Sequence, residues 1–200
     1  MYIQHNLYSD MRRKIVRRRE RMSSYDKVIF ICTGNTFCSP VAEAVYKSMA
    51  PTWLPPAVSR GIVVLFSEPI NPKVNVLLSG HDFELSDHMC SVMLDKNEIT
   101  PGTLLITMTF SEKVKLMEDF GIEHNVYTLG EFIEEDTDIT NPYGAEEELY
   151  EKFFEEVCSR VERVILRIEA KYHEEAIAGA GDNVESKDTD DRKEKEEMED

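Results

Sequence analysis

Long apolar runs are missing from this chain of 200 residues. The longest, around Gly61 to Phe66, falls far short of the roughly 18 to 20 residues that a bilayer-spanning helix needs, and no apolar signal segment follows the N-terminus. A helical membrane span is therefore not expected, and the sequence reads as cytoplasmic. Cysteine is also scarce. The four present, Cys32, Cys38, Cys90 and Cys158, form neither a C-x-x-C pair nor a Cys/His cluster, which argues against a secreted disulfide framework and against a zinc site. A cysteine with a chemical role here is therefore a nucleophile or a redox thiol.

Positive charge is in short supply as well: 23 Lys and Arg face 39 Asp and Glu, for a net charge of −16. Seven of those bases lie in Met11 to Met22 against Glu20 alone, a balance of +6, while Glu174 to Asp200 carries twelve acids and four bases, a balance of −8. The body from Ser23 to His173 is left at −13. An acidic body argues against a nucleic-acid-binding face, because counterion release requires a basic one, and no nucleic-acid partner is expected. It also opposes a phosphoprotein partner unless local bases offset it. For the basic arm three readings stay open: a contact for polyanions or anionic lipid, a merely solvated terminus, and a stretch preceding a start at Met22. The acidic end has almost no large apolar residue after Ile177, too little to offset its own ordering entropy. The expected organisation is a basic extension over 1–22, one domain over 23–175 and a disordered acidic tail over 176–200.

Between the ends, strands alternate with helices. Lys27 to Cys32 (KVIFIC) is an unbroken β-branched and aromatic run suited to a central parallel strand. Thr33 to Phe37 is a tight turn whose Gly34 and Asn35 tolerate left-handed backbone, and Ser39-Pro40 predicts a helix start. Val41, Ala44, Val45 and Met49 give that helix its apolar face, and Pro51 stops it. Val58 to Phe66 reads as a second strand. A short helix follows from Asn71-Pro72 through Leu78 to Gly80, and Thr103 to Thr109 makes a third strand. Ser111 caps a helix to Phe120, and Asn125 to Leu129 is a fourth strand. Glu146 to Tyr172 is a long helix whose Phe153, Val157, Val161, Val164, Leu166 and Ile168, with Cys158, face the core. This alternation implies an α/β fold, a doubly wound three-layer sandwich, with its site at the strand C-termini.

That rule points to Cys32-Thr33-Gly34-Asn35-Thr36-Phe37-Cys38-Ser39-Pro40. A loop curled between a strand end and a helix N-terminus turns successive backbone N–H groups inward and forms an anion nest. A thiol beneath it has the setting of a nucleophile with a lowered pKa, and Ser39 is placed to donate a hydrogen bond to it. The alternative is an ordinary strand-end cysteine.

With Cys32, Gly34, Asn35, Ser39 and Pro40 in register, the loop resembles the C-x-G-N-x-C-R-S-P loop of the low-molecular-weight protein phosphatases. The likeness extends to Ser59-x-Gly61, Ser86-x-His88, Leu105 to Thr109, and Asp138-Ile139-Thr140-Asn141-Pro142-Tyr143-Gly144, so it spans roughly Lys27 to Tyr172. The resemblance implies a four-stranded parallel sheet, in-line attack by Cys32, a phosphocysteine intermediate, no cofactor and no metal. It also implies that Thr33, Gly34, Asn35, Thr36, Phe37, Cys38 and Ser39 bind phosphate. Thr36 stands where the arginine-phosphatase branch has threonine.

Two positions depart from the pattern: Cys38 stands at the loop arginine and Asn141 at the general-acid aspartate. No cysteine can make arginine's bidentate contact with phosphoryl oxygens, and Asn141 has no proton to give a leaving group. The expectation is a phosphatase-like protein impaired in turnover that binds a small oxyanion or a phosphorylated partner. Two alternatives remain: an active phosphoarginine or phosphotyrosine phosphatase using Cys32 with Arg60 or a displaced acid such as Asp138, Glu134, Glu135 or Asp136, and an interaction module working through its charged ends. His88 reads as a structural histidine. Cys90 has no second downstream cysteine near it, which weighs against an arsenate-reductase relay. Cys38 is either a disulfide partner for Cys32 or a small filler.

Overall fold

The computed structural model describes residues 25–85 and 88–185. Four parallel strands form one sheet in the order β2-β1-β3-β4: β1 (Lys27–Cys32), β2 (Ala57–Gly61), β3 (Thr103–Thr107) and β4 (Val126–Thr128). The helices are α1 (Cys38–Met49), α2 (Pro72–Gly80), α3 (Phe110–Phe120), α4 (Leu129–Phe132) and α5 (Glu147–Glu185), with a 3-10 turn at Lys96–Glu98. From central β1 the chain steps outward to β2, then crosses back to β3 on the other side. Right-handed crossovers in opposite directions cover opposite faces, and the switch between β1 and β3 opens a crevice at their carboxyl ends.

Both faces of β1 are dry. Ile29 and Ile31 join Leu105, Leu116, Ile122 and Val126 in one buried cluster. On the other side Phe30 meets Tyr46 of α1 edge to face, with centroids 5.8 Å apart. The uninterrupted hydrophobic run is thus what a strand buried on both faces requires.

Several boundaries differ from the expectations. α1 begins at Cys38, after Phe37 at an N-cap that makes no side-chain bond, because the Ser39 hydroxyl is used inside the loop. Its Met49 is 37% exposed rather than part of the core. β2 ends at Gly61, short of Phe66; past it, Ile62 and Val63 donate to the carbonyls of Cys32 and Thr33, so these residues pair with the loop instead of extending the ladder. A Cβ on Gly61 would lie 2.5 Å from Val64 Cγ2, and 3.1 Å from both Asn35 Cβ and the Thr33 carbonyl. Gly61→Ala should therefore cost about 1–3 kcal/mol in a denaturant titration and displace the loop.

α3 is capped by Thr109 rather than Ser111, through a reciprocal box with Glu112. α4 is a short helix that the sequence reading missed, and α5 runs further than Tyr172. Its Leu166 is exposed while Ile165 takes a buried place. Contacts group Tyr25–Ile168 into one compact unit, apart from a second to which Glu169–Glu185 belongs. That stretch is helical. The basic extension, and the acidic tail beyond Glu185, lie outside the described residues.

Candidate active site

The loop after β1 is held by a buried polar network. Asn35 adopts left-handed backbone, φ 55°, a conformation asparagine accepts more readily than other non-glycine residues. Its N–H points back at Cys32 Sγ, 3.2 Å away. Its side chain is fully used: Nδ2 donates to Ser39 Oγ at 3.0 Å and to Ser59 Oγ at 2.9 Å, and Oδ1 accepts from the Val92 N–H at 2.8 Å. Ser39 Oγ in turn lies 3.0 Å from Cys32 Sγ. One turn of chain is thereby fixed around the sulfur.

Behind this turn stands a carboxylate that the sequence reading passed over. Glu43 Oε2 accepts from Ser59 Oγ at 2.7 Å and meets His88 Nδ1 at 2.8 Å, while Oε1 pairs with Lys47 at 2.7 Å. Burial alone would raise the Glu43 pKa, but hydrogen bonds from His88, Lys47 and Ser59 outweigh it and hold the carboxyl at about 2. The signal in the sequence was the spacing of Ser39, Glu43 and Lys47, which puts all three on one side of α1. His88 is buried, and its Nε2 has no hydrogen-bond partner among the described residues.

Cys32 is 7% exposed. Burial raises its pKa above that of an ordinary thiol; bonds from Ser39 and Asn35 oppose the rise and the charge of Glu112 adds to it. This corrects the expectation of a lowered pKa: the nest's dipoles are outweighed by the dry surroundings. Alkylation of Cys32 by iodoacetamide, followed by peptide mass analysis, should be slow at neutral pH and rise through a midpoint above that of a free thiol. A midpoint near neutrality would contradict this.

Cys38 opens α1 and is buried; burial drives its thiol far upward, with negative charge on Cys32 and Glu112 adding to the effect. Both loop cysteines are free thiols. Phe37 turns away from the loop into the core, against Tyr150 and Phe153 with ring centroids 5.4 and 5.1 Å away, so only its backbone faces the site. The Thr36 carbonyl accepts from Asn71 N–H. Gly34 and Thr36 border a cleft of about 230 Å³ whose far wall includes Leu65 and Phe66, 83% and 79% exposed.

The acid segment is fixed beside the end of β3. Ile139 donates to the Met108 carbonyl just past β3, and Asp138 accepts the Phe110 N–H at 2.9 Å. Asn141 is exposed, and its Oδ1 accepts from the Tyr143 N–H in a local turn. Glu134 and Glu135 face away into ion pairs with Arg167 and Arg163. Arg60 does not join the loop: its Nε donates to Glu98 at 2.9 Å and its Nη1 to the Ser59 carbonyl.

The arrangement sets a sulfur beside a tight turn at a helix start, the kind of place where backbone N–H groups can receive an anion. Comparison with known proteins shows the family. The family model for the low molecular weight phosphotyrosine protein phosphatases matches residues 27–175. The low molecular weight protein-tyrosine-phosphatase PtpB of Staphylococcus aureus is 30% identical over 135 residues, 68% of this chain and 94% of the relative. Among solved structures, the low molecular weight protein tyrosine phosphatase of T. tengcongensis superposes with a TM-score of 0.64 at 30% identity, covering 70% of this chain and 98% of that one. The YwlE arginine phosphatase of Geobacillus stearothermophilus gives 0.68 at 25% identity, covering 74% and 96%.

Proposed function

The chain belongs to the low molecular weight phosphotyrosine protein phosphatase family, and from that premise we propose that it is a member impaired in turnover, whose loop receives a small oxyanion or a phosphorylated partner. The observation that carries this is the pairing of an intact loop frame with a buried thiol at its arginine position. Asn35, Ser39 and Ser59 hold the turn around Cys32, while Cys38 at the head of α1 supplies no cation. A nest of N–H groups retains attraction for an anion without the guanidinium, whereas the charge spreading over equatorial oxygens in phosphoryl transfer loses its partner.

Four of the five substituted helpers are engaged elsewhere, and Asp136 is exposed. Arg60 is committed to Glu98, and Glu134 and Glu135 are committed to arginines of α5. Asp138 serves the α3 N-terminus. The exposed apolar side chains at Leu65 and Phe66 favour a ligand carrying an organic group over bare phosphate. Turnover of phosphoarginine and of an aryl phosphate is the test, with the wild type compared with Cys38→Arg, Asn141→Asp and the double variant. A silent wild type beside an active double variant supports the proposal; wild-type turnover that Cys32→Ser abolishes overturns it.

A further inference from the structure

One backbone donor of the loop is already occupied from within the chain. Glu112, in the first turn of α3, reaches 79 positions back along the sequence. Its Oε1 accepts both the Thr33 N–H at 2.7 Å and the Thr33 hydroxyl at 2.9 Å. Thr33 directly follows Cys32, so this N–H is the first donor of the nest. The other oxygen, Oε2, accepts the Thr109 N–H at 3.1 Å, and Thr109 Oγ1 accepts the Glu112 N–H at 3.3 Å. A capping box needs only one carboxylate oxygen. The second is aimed at the loop and takes two donors there.

We propose that Glu112 is an internal plug of the anion loop: its carboxylate stands in for an oxyanion at Thr33, and a tetrahedral oxyanion binds only by displacing it. This deepens the reading under Proposed function and rests on it for the identity of the loop as an anion receptor. The position of the carboxylate is set by the α3 cap, so the plug is held while its oxygen at Thr33 remains replaceable. Its charge is not offset by the neighbouring lysines, which are engaged elsewhere: Lys113 with Glu131 at 2.6 Å and Lys115 with Asp119 at 2.9 Å. An incoming dianion therefore meets both an occupied donor and a like charge. Release requires rotation of one side chain and no movement of α3. The electrostatic reach of Glu112 onto Cys32 and Cys38 is consistent with a carboxylate at the mouth of the loop.

The test compares wild type, Glu112→Gln and Glu112→Ala, each also in a Cys38→Arg background, with inorganic phosphate and phenyl phosphate as probes. Gln preserves the cap and removes the charge; Ala removes both, and thermal melts establish that each variant is folded. Two readouts are taken, the Thr33 amide resonance and the phosphate dissociation constant. The Thr33 amide should move upfield in Glu112→Ala, and Glu112→Gln should tighten phosphate about tenfold over its parent. A Thr33 resonance that does not move, or equal affinities in Cys38→Arg with and without Glu112→Gln, overturns the plug. If proteins with native Cys38 bind nothing at millimolar concentration while Glu112→Gln still tightens binding in Cys38→Arg, the receptor reading falls and the plug stands. No binding in any of the six proteins overturns both. A gain for phenyl phosphate that exceeds the gain for inorganic phosphate assigns the loop to phosphoryl groups on organic ligands.

Discussion

The Cys38→Arg, Asn141→Asp double variant should hydrolyse an aryl phosphate at least about 10³-fold faster than the wild-type chain, and Cys32→Ser should return it to background. Arginine at the head of α1 would supply what the loop lacks, a planar fork that follows two phosphoryl oxygens into the transition state. Charge-stabilising groups of this kind contribute on the order of 10³ to 10⁵ in phosphoryl transfer, and a general acid adds about 10² to 10⁴. The two act as a unit, so the product of the ranges is not expected, and Cys38→Arg alone should show most of the gain. Asn141→Asp alone should show little, because protonating the leaving group helps only once the phosphoryl charge is held. The aspartate would enter a segment already fixed to the β3 end through Ile139 and Asp138. Steady-state rates on the four proteins, with melts to establish folding, decide the matter. A folded double variant that remains silent would show that more than these two side chains separates this loop from an active one.

What the sequence made legible was whatever is written locally. The run KVIFIC declared a strand buried on both faces, and Gly34-Asn35 declared a left-handed turn, observed at Asn35 with φ 55°. The order of motifs declared the sheet. The roles of Glu43 and Glu112 were not legible, for a physical reason: each depends on partners far along the chain. Glu43 looks like a solvated helix residue until α1 is laid against β2 and the His88 segment, where it becomes 2% exposed. Thr109-Phe110-Ser111-Glu112 carries a readable capping box, which accounts for one carboxylate oxygen and conceals the use of the other. The second strand was read too long because Ile62 and Val63 have strand chemistry; they do pair, but with the loop carbonyls. The Cys32 thiol was misjudged because the nest's attraction for charge is visible in a motif and the surrounding dryness is not.

Glu43→Ala should be among the most destabilising single substitutions in the domain, at about 3–5 kcal/mol, or on the order of 10 °C in melting temperature. Truncation removes the shared acceptor of Ser59 and His88 and the partner of Lys47, and it leaves a void beside a ring whose Nε2 is without a partner among the described residues. Glu43→Gln keeps an acceptor of similar shape and should cost less. Lys47 is 37% exposed at its side chain, so Lys47→Met should cost under about 1 kcal/mol. The acid response separates charge from packing. A carboxyl held at about 2 when folded and at 4.5 when free contributes stability that is present above 4.5 and is lost as pH falls toward 2. The amount is on the order of 3 kcal/mol. Urea midpoints measured from pH 6 down to pH 2.5 should therefore fall more steeply for the wild type than for Glu43→Gln; parallel slopes would place the acid sensitivity elsewhere. The same loss should reach the site, because Ser59 is held between Glu43 and Asn35. Once Ser59 is free to turn, Asn35 loses one of the bonds that keep its backbone left-handed. The turn around Cys32 should then loosen before the domain unfolds, so in Glu43→Ala, which removes the acceptor of Ser59 outright, the Cys32 alkylation rate should exceed that of the wild type under conditions where its far-ultraviolet dichroism is still native.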